Sequence, residues 1–98
     1  MTTYAIATGN IKDSVKFLAY GAQAAKTLTI FGGEPIAKGK FAEALCGISK
    51  YDFIVAIKFA DSNKARDWYQ SPEYQACIPN RDEACDMNIT LYQAPPAA

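Results

Sequence analysis

Ala65-Arg-Asp-Trp-Tyr-Gln-Ser-Pro-Glu-Tyr-Gln-Ala-Cys-Ile-Pro-Asn-Arg81 gathers the only tryptophan of the chain, two tyrosines, two prolines and two arginines into seventeen positions. It reads as two short helices meeting at a corner. Ser71 is a suitable N-cap, and Pro72 fits the first helical position because its φ is preset and it has no N–H to satisfy. Glu73 then sits in the first turn, where the helix dipole favours an anion. Pro72 also disfavours helical geometry at Ser71, so the preceding helix must stop near Gln70. The corner therefore fixes the directions of Trp68, Tyr69 and Tyr74.

Upstream, Asp61 and Ser62 cap the first of these helices, with Ala65, Trp68 and Tyr69 at core spacing. Before that, Tyr51-Asp-Phe-Ile-Val-Ala-Ile-Lys-Phe59 is the strongest strand signal in the chain. Phe53, Val55, Ile57 and Phe59 share one face, and Ile54 and Ala56 the other. Both faces are apolar, whereas helices on a small sheet cover only one, so something else must cover the second. Gly47 to Lys50 reads as the preceding turn. Glu34 to Cys46 reads as irregular extended chain, with Pro35 marking an edge strand and Gly39 a bulge or close backbone approach.

Nearer the start, Thr3 to Thr8 reads as a strand closed by Gly9-Asn10. From the N-cap Asp13, Val15, Leu18, Ala22, Ala25 and Leu28 recur at helical intervals up to Gly32-Gly33, which predicts a helix buried along that stripe. Gly21 within it costs about 1 kcal/mol relative to alanine and is expected to allow close packing or a bend. Downstream of the corner, Arg81 to Asp86 reads as a charged connection and Met87 to Gln93 as a last alternating strand. Residues 94–98 read as a tail. The order strand, helix, strand, strand, helices, strand is the βαββαβ of a ferredoxin-like α+β fold: an antiparallel four-stranded sheet with helices on one face, in one domain spanning 1–98.

Composition narrows the function. At 98 residues, half of them hydrophobic and a fifth charged, the chain fits one small globular core. Ten basic residues balance ten acidic ones, leaving no electrostatic footprint for nucleic acid. There is no basic leader followed by an apolar run, and no stretch near the roughly 20 apolar residues that span a bilayer, so the expectation is a soluble cytoplasmic protein that engages no membrane. Cys46, Cys77 and Cys85 read as reduced thiols. The chain has no histidine, which removes the usual general base near neutral pH, the commonest metal ligand and the proximal haem ligand. Neither a metal nor a cofactor is expected.

Trp68-Tyr-Gln-Ser-Pro-Glu-Tyr-Gln75 followed by Arg81 resembles the family known as domain of unknown function 1330. Gly32-Gly33 with Lys38-Gly39, and Phe53 to Phe59 with Ala65, extend the resemblance from Tyr4 to Tyr92. Two positions depart from it: Lys40 stands where a second glycine is expected, and Lys58 where an acidic residue is expected before Phe59. Both bear on the charge of the expected pocket. The resemblance implies a dimeric α+β barrel, two ferredoxin-like sheets packed face to face as a homodimer. That answers the question of the second apolar face. Relatives in that superfamily include cofactor-free monooxygenases, isomerases and haem enzymes, so the fold implies a cavity and no particular reaction.

The candidate ligand-binding residues are Lys38, Trp68, Tyr69, Tyr74 and Arg81, and the weak catalytic candidates are Tyr69, Tyr74 and Arg81. Arg81 offers a bidentate fork to a ligand carboxylate; its alternative is to pair with Asp82, Glu83 or Glu73. The aromatics suit an apolar pocket but equally a core or a dimer contact, Lys38 a protected sheet edge, and Glu73 a cap rather than a general base. The leading expectation is a small organic molecule bound in a cleft near the Trp68–Arg81 corner. Its competitors are a non-catalytic dimeric assembly module and a cofactor-free monooxygenase or isomerase.

Overall fold

The computed structural model describes residues 1–95. Strand β1 (Thr3–Ile11) is followed by helix α1 (Ser14–Leu28), a single 3₁₀ turn, β2 (Glu34–Lys40), β3 (Phe53–Phe59), α2 (Ser62–Gln70), α3 (Pro72–Gln75), α4 (Ile78–Ala84) and β4 (Cys85–Gln93). The four strands form one antiparallel sheet in the order β2-β3-β1-β4, so the βαββαβ reading and the edge position of β2 both hold. Its register sets Ala5 beside Ile57 and Leu91, and Ile6 beside Ala56 and Thr90. Because side chains alternate across a strand, these two rows define the two faces.

The first face carries Ala5, Ile57 and Phe59 into a core shared with Tyr20, Leu28, Ala65, Trp68, Tyr74, Cys77 and Ala84 from the helices. The second carries Tyr4, Ile6, Thr8, Ile54, Ala56, Thr90 and Tyr92, with no helix over it among the described residues. The shortest principal extent is 16 Å, the thickness of two layers, and Ile54 is 43% and Tyr92 58% exposed. The second apolar face of β3 is bare in the single chain.

The caps fall where their chemistry predicts. Asp13 and Asp61 accept from the amides of Lys16 and Lys64 at 3.0 and 2.9 Å. Gly32 closes the 3₁₀ turn that follows α1, with φ of +70°, the left-handed geometry that glycine adopts without a Cβ penalty. Several boundaries differ from expectation. β1 runs on to Ile11, since Gly9 lies so close to β4 that an added Cβ would overlap the Asp86 carbonyl oxygen. β2 ends at Lys40, its irregularity lies between Pro35 and Ala37, and Gly39 is the close approach, with the Ile54 side chain 3.2 Å from where its Cβ would sit. Residues 41–52 form an irregular loop tied at its base by Asp52, whose carboxylate accepts from the Ile11 amide at 3.0 Å. Arg81 to Ala84 is helical rather than a connection, because Pro79 falls at the start of α4, where its missing N–H costs nothing. The tail expected over 94–98 begins with Ala94 bonded through its amide to the Thr2 carbonyl at 2.8 Å; residues 96–98 lie outside the described residues.

The buried stripe of α1 is also not the predicted one. Phe17, Tyr20, Ala24, Thr27 and Leu28 face the sheet, while Val15 and Leu18 face outward. The aliphatic period lost to an aromatic one, because Tyr20 and Phe17 fill more of the space above Ala5 and Ala7 and find partners there. Phe17 packs on Phe53 with ring centroids 4.8 Å apart. All three cysteines are free thiols; Cys77 and Cys85 are buried and Cys46 is exposed on the 41–52 loop. Among the described residues, no helix is long and apolar enough to cross a membrane.

Candidate functional site

Ser71 makes the corner rigid. Its hydroxyl donates to the Trp68 carbonyl at the end of α2 (2.6 Å) and accepts from the Tyr74 amide at the start of α3 (3.1 Å), so one side chain closes one helix and opens the next. Trp68, Tyr69 and Tyr74 consequently cluster in tilted contact, with ring centroids 4.4 Å apart for Trp68–Tyr74 and 5.2 Å for Tyr69–Tyr74. The Trp68 indole N–H donates to Thr27 Oγ1 at 2.9 Å, and that hydroxyl donates on to the Ala24 carbonyl at 2.7 Å. Helix α1 thus fixes the indole plane.

Arg81, with only 15% of its side chain exposed, lies against this cluster. Its Nη1 donates to the hydroxyls of both Tyr69 and Tyr74 at 3.2 Å, and its Nε donates to Asp82 at 3.3 Å. Asp82 is largely in solvent, so that ion pair holds Arg81 only weakly. Arg81 pairs with neither Glu83 nor Glu73. Burial works against the guanidinium charge, but the hydrogen bonds it donates to Tyr69 and Tyr74 outweigh it and hold the group above its ordinary range. Tyr74 is wholly enclosed and its hydroxyl is 2.8 Å from that of Tyr20. Burial raises the pKa of both phenols; for Tyr20 the neighbouring Tyr74 adds to the rise, while for Tyr74 the Tyr20 and Arg81 hydrogen bonds work against it. At neutral pH the guanidinium of Arg81 is thus a fixed cation backed by two neutral buried phenols, Tyr20 and Tyr74.

Two spaces flank Trp68. An outer groove of about 250 Å³ runs between α2 and β4, lined by Trp68, Tyr69, Arg66, Arg81, Met87, Ile89 and Leu91 among others. An inner cavity of about 130 Å³ lies between α1 and the sheet, over Ala5, Ala7, Val55 and Ile57, with Tyr20 and Gly21 in its wall and Lys38 on its rim. Trp68, Met87 and Ile89 belong to both. The candidates are therefore divided: Trp68, Tyr69 and Arg81 meet at the groove, Lys38 is at the other cavity, and Tyr74 supports Arg81 from behind without lining either space. Glu73 is exposed in the first turn of α3, where it serves as the dipole-favoured anion and lines neither space. Lys58 lies on the bare sheet face and Lys40 is the edge-strand partner of Phe53, and as neither lines the groove, neither departure alters its charge. Sequence reasoning missed Tyr20, Thr27 and Arg66. Tyr20 lies 54 positions from Tyr74, and only the phenol pairing shows that it belongs to the centre. Among the described residues, no group of three or more Cys, Asp or Glu side chains is placed to hold a metal.

The model of the family described as domain of unknown function (DUF1330) matches residues 2–95, nearly the whole chain. The chain belongs to that family. The DUF1330 resemblance read from the Trp68–Arg81 run is thereby borne out. No curated protein matches the sequence. Among solved structures, this DUF1330 chain is similar to a protein of unknown function from Rhodopseudomonas palustris, with 14% identity, a TM-score of 0.82, and coverage of 98% of this chain and 84% of that one. It is similar to SnoaB, a cofactor-independent oxygenase from Streptomyces nogalater, at 10% identity and TM-score 0.72, covering 98% and 95%. A dimeric ferredoxin-like protein of unknown function from Jannaschia is matched at 10% identity and TM-score 0.77, covering 96% and 100%. At such identities the likeness is one of fold, and the fold is ferredoxin-like.

Proposed function

We propose that this DUF1330 chain works as a homodimer and binds a small organic anion in the outer groove, its carboxylate on Arg81 and its apolar body on Trp68, Met87, Ile89 and Leu91. The observation that carries the reading is the state of Arg81. Its Nη1 is fixed by two phenols and its Nε by Asp82, while Nη2 has no acceptor among the described residues and the guanidinium forms part of the groove wall. Arg66 adds a second cation, and the groove lining contains no carboxylate. A pre-oriented guanidinium over an apolar floor suits a carboxylate joined to a ring or short chain.

The dimer reading is supported by the bare face bearing Tyr4, Ile6, Ile54 and Tyr92 and by the Jannaschia neighbour, which is described as dimeric. Burying several hundred Å² of such surface per chain contributes on the order of 10 kcal/mol before association costs. The free thiols fit a reducing, cytoplasmic setting. The likeness to SnoaB adds a catalytic variant, in which Tyr69, its oxygen polarised by Arg81, exchanges a proton with the bound molecule. The non-catalytic alternative is favoured by the filled corner, since Tyr74 and Cys77 are 0% exposed.

Mass spectrometry of small molecules released from purified protein tests the site. An organic acid should accompany the native chain and be lost from both Arg81→Ala and Leu91→Trp, the second of which blocks the groove with Arg81 intact. A native chain that carries no acid, and shows no thermal shift with benzoate, would instead leave the corner as scaffold.

A further inference from the structure

The inner cavity has a wall that the sequence makes deliberately small. Gly21 lies in the middle of α1, where glycine costs about 1 kcal/mol relative to alanine. Of its two expected reasons, close packing or a bend, the first does not hold: a Cβ built there meets no atom within 4 Å. The space it leaves is part of the cavity, and Ala5, Ala7, Ala24 and Ala25 line the same volume. The space opens to solvent beside Lys38, Pro35 and Ala25, and a costly glycine with four alanines keeps its apolar interior unfilled where larger side chains would pack.

Proton counting at the wall supplies a second observation. Arg81 can only donate, so the Tyr74 oxygen accepts from it, and the hydrogen on Tyr74 must go elsewhere. Its one acceptor is the Tyr20 oxygen at 2.8 Å, which leaves the Tyr20 hydrogen to Met87 Sδ at 3.9 Å. The chain runs from Arg81 through Tyr74 and Tyr20 and ends on a thioether, a weak acceptor. Each link polarises the next, so a strengthened donor is aimed at a poor partner. Tyr20 and Met87 both line the cavity.

We propose that the inner cavity is a second binding site, distinct from the groove, that takes a compact apolar molecule with one acceptor oxygen, such as a cyclic ketone, held by the Tyr20 hydroxyl in place of Met87 Sδ. The volume of about 130 Å³ is close to that of a cavity which holds benzene, and so admits about six to eight non-hydrogen atoms. A ligand carboxylate is not required here: the fixed cation of Arg81 acts through two phenols, and Lys38 stands exposed at the rim.

Cyclohexanone and methylcyclohexane, equal in heavy atoms, separate the cavity from its donor. Methyl NMR of the full chain should show cyclohexanone shifting the Met87, Ala5 and Ala7 signals saturably, with methylcyclohexane binding at least tenfold more weakly. Tyr20→Phe should abolish that preference, and Gly21→Leu should abolish binding of both. Equal affinity of the native chain for the two probes, undiminished binding by Gly21→Leu, or shifts confined to the Leu91 methyls of the outer groove would overturn the proposal. Gly21→Leu leaves every hydrogen bond of the relay in place, so it decides the matter even if Tyr20→Phe does not fold.

Discussion

Replacing Tyr74 by phenylalanine removes one oxygen atom from a fully enclosed position and tests the polar centre directly. Two bonds are lost at once, the charge-assisted one from Arg81 and the phenol pair with Tyr20. Hydrogen bonds to charged groups contribute about 1.5–3 kcal/mol and neutral ones about 1. Arg81 keeps Tyr69 and a small solvent-facing edge, which lowers the first figure, whereas buried Tyr20 is left with only Met87 Sδ. The net loss should be about 2 to 3 kcal/mol, or about 10 to 20 °C in Tm for a chain of this size. Urea unfolding at fixed protein concentration measures it, with an unchanged m-value required for a stability reading. Tyr69→Phe, whose hydroxyl lies at the groove where water can replace it, should cost under about 1 kcal/mol. The cycle closed with Tyr20→Phe should give a coupling of about 1 kcal/mol. If Tyr74→Phe unfolds with native stability, or the two phenols prove additive, the relay has no energetic existence.

Because burial raises the pKa of Tyr20 and Tyr74, the unfolded chain ionises them first: their contribution is fully present below about pH 10 and is lost above it, at up to about 1.4 kcal/mol per pH unit for each phenol. Absorbance at 295 nm during alkaline titration should show two tyrosines ionising only as the chain unfolds. Gly21→Ala should raise stability in thermal melts by up to about 1 kcal/mol, as nothing obstructs its Cβ. Gly9→Ala should cost more than about 3 kcal/mol by forcing β1 from β4, visible as loss of soluble folded protein. Ile54→Asp, on the bare face, should leave the circular dichroism of the chain intact and convert a sedimenting dimer to single chains at micromolar concentration. A native chain that sediments singly refutes the dimer.

The parts of this molecule that sequence reasoning recovered are those whose causes are local. Asp13, Asp61, Ser71 and Gly32 act on the backbone within a few positions, so the starts of α1, α2 and α3 and the turn before β2 could be read from residue type. The alternation of β3 and its two apolar faces is likewise a property of consecutive residues. What escaped depends on neighbours distant in the chain. The stripe of α1 was misassigned because Val15 and Leu18 have as strong an aliphatic period as Phe17, Tyr20 and Ala24, and only Phe53 and Tyr74 decide between them. β1 was cut short at Gly9 because a glycine signals a turn as readily as a close strand contact. Helix α4 was hidden by its polar and charged residues, which face α1 and solvent: the Asn80 amide donates to Gln23 at 2.9 Å and Glu83 pairs with Lys16 at 3.4 Å. The corner was located correctly, but not that Arg81 and Lys38 would serve different spaces.

The distribution of thiols gives the molecule a ready spectroscopic handle. Cys77 and Cys85 are enclosed, each donating to a carbonyl one helical turn earlier, and burial pushes both thiols up, away from the reactive thiolate. Cys46 is exposed on a loop whose Leu45 and Ile48 are 93% exposed. A nitroxide reagent applied to the unaltered chain will therefore attach at one place. In an assembled pair, pulsed electron resonance will read a single separation between the two loops, and its shift on adding benzoate or cyclohexanone will report whether either space communicates with the partner.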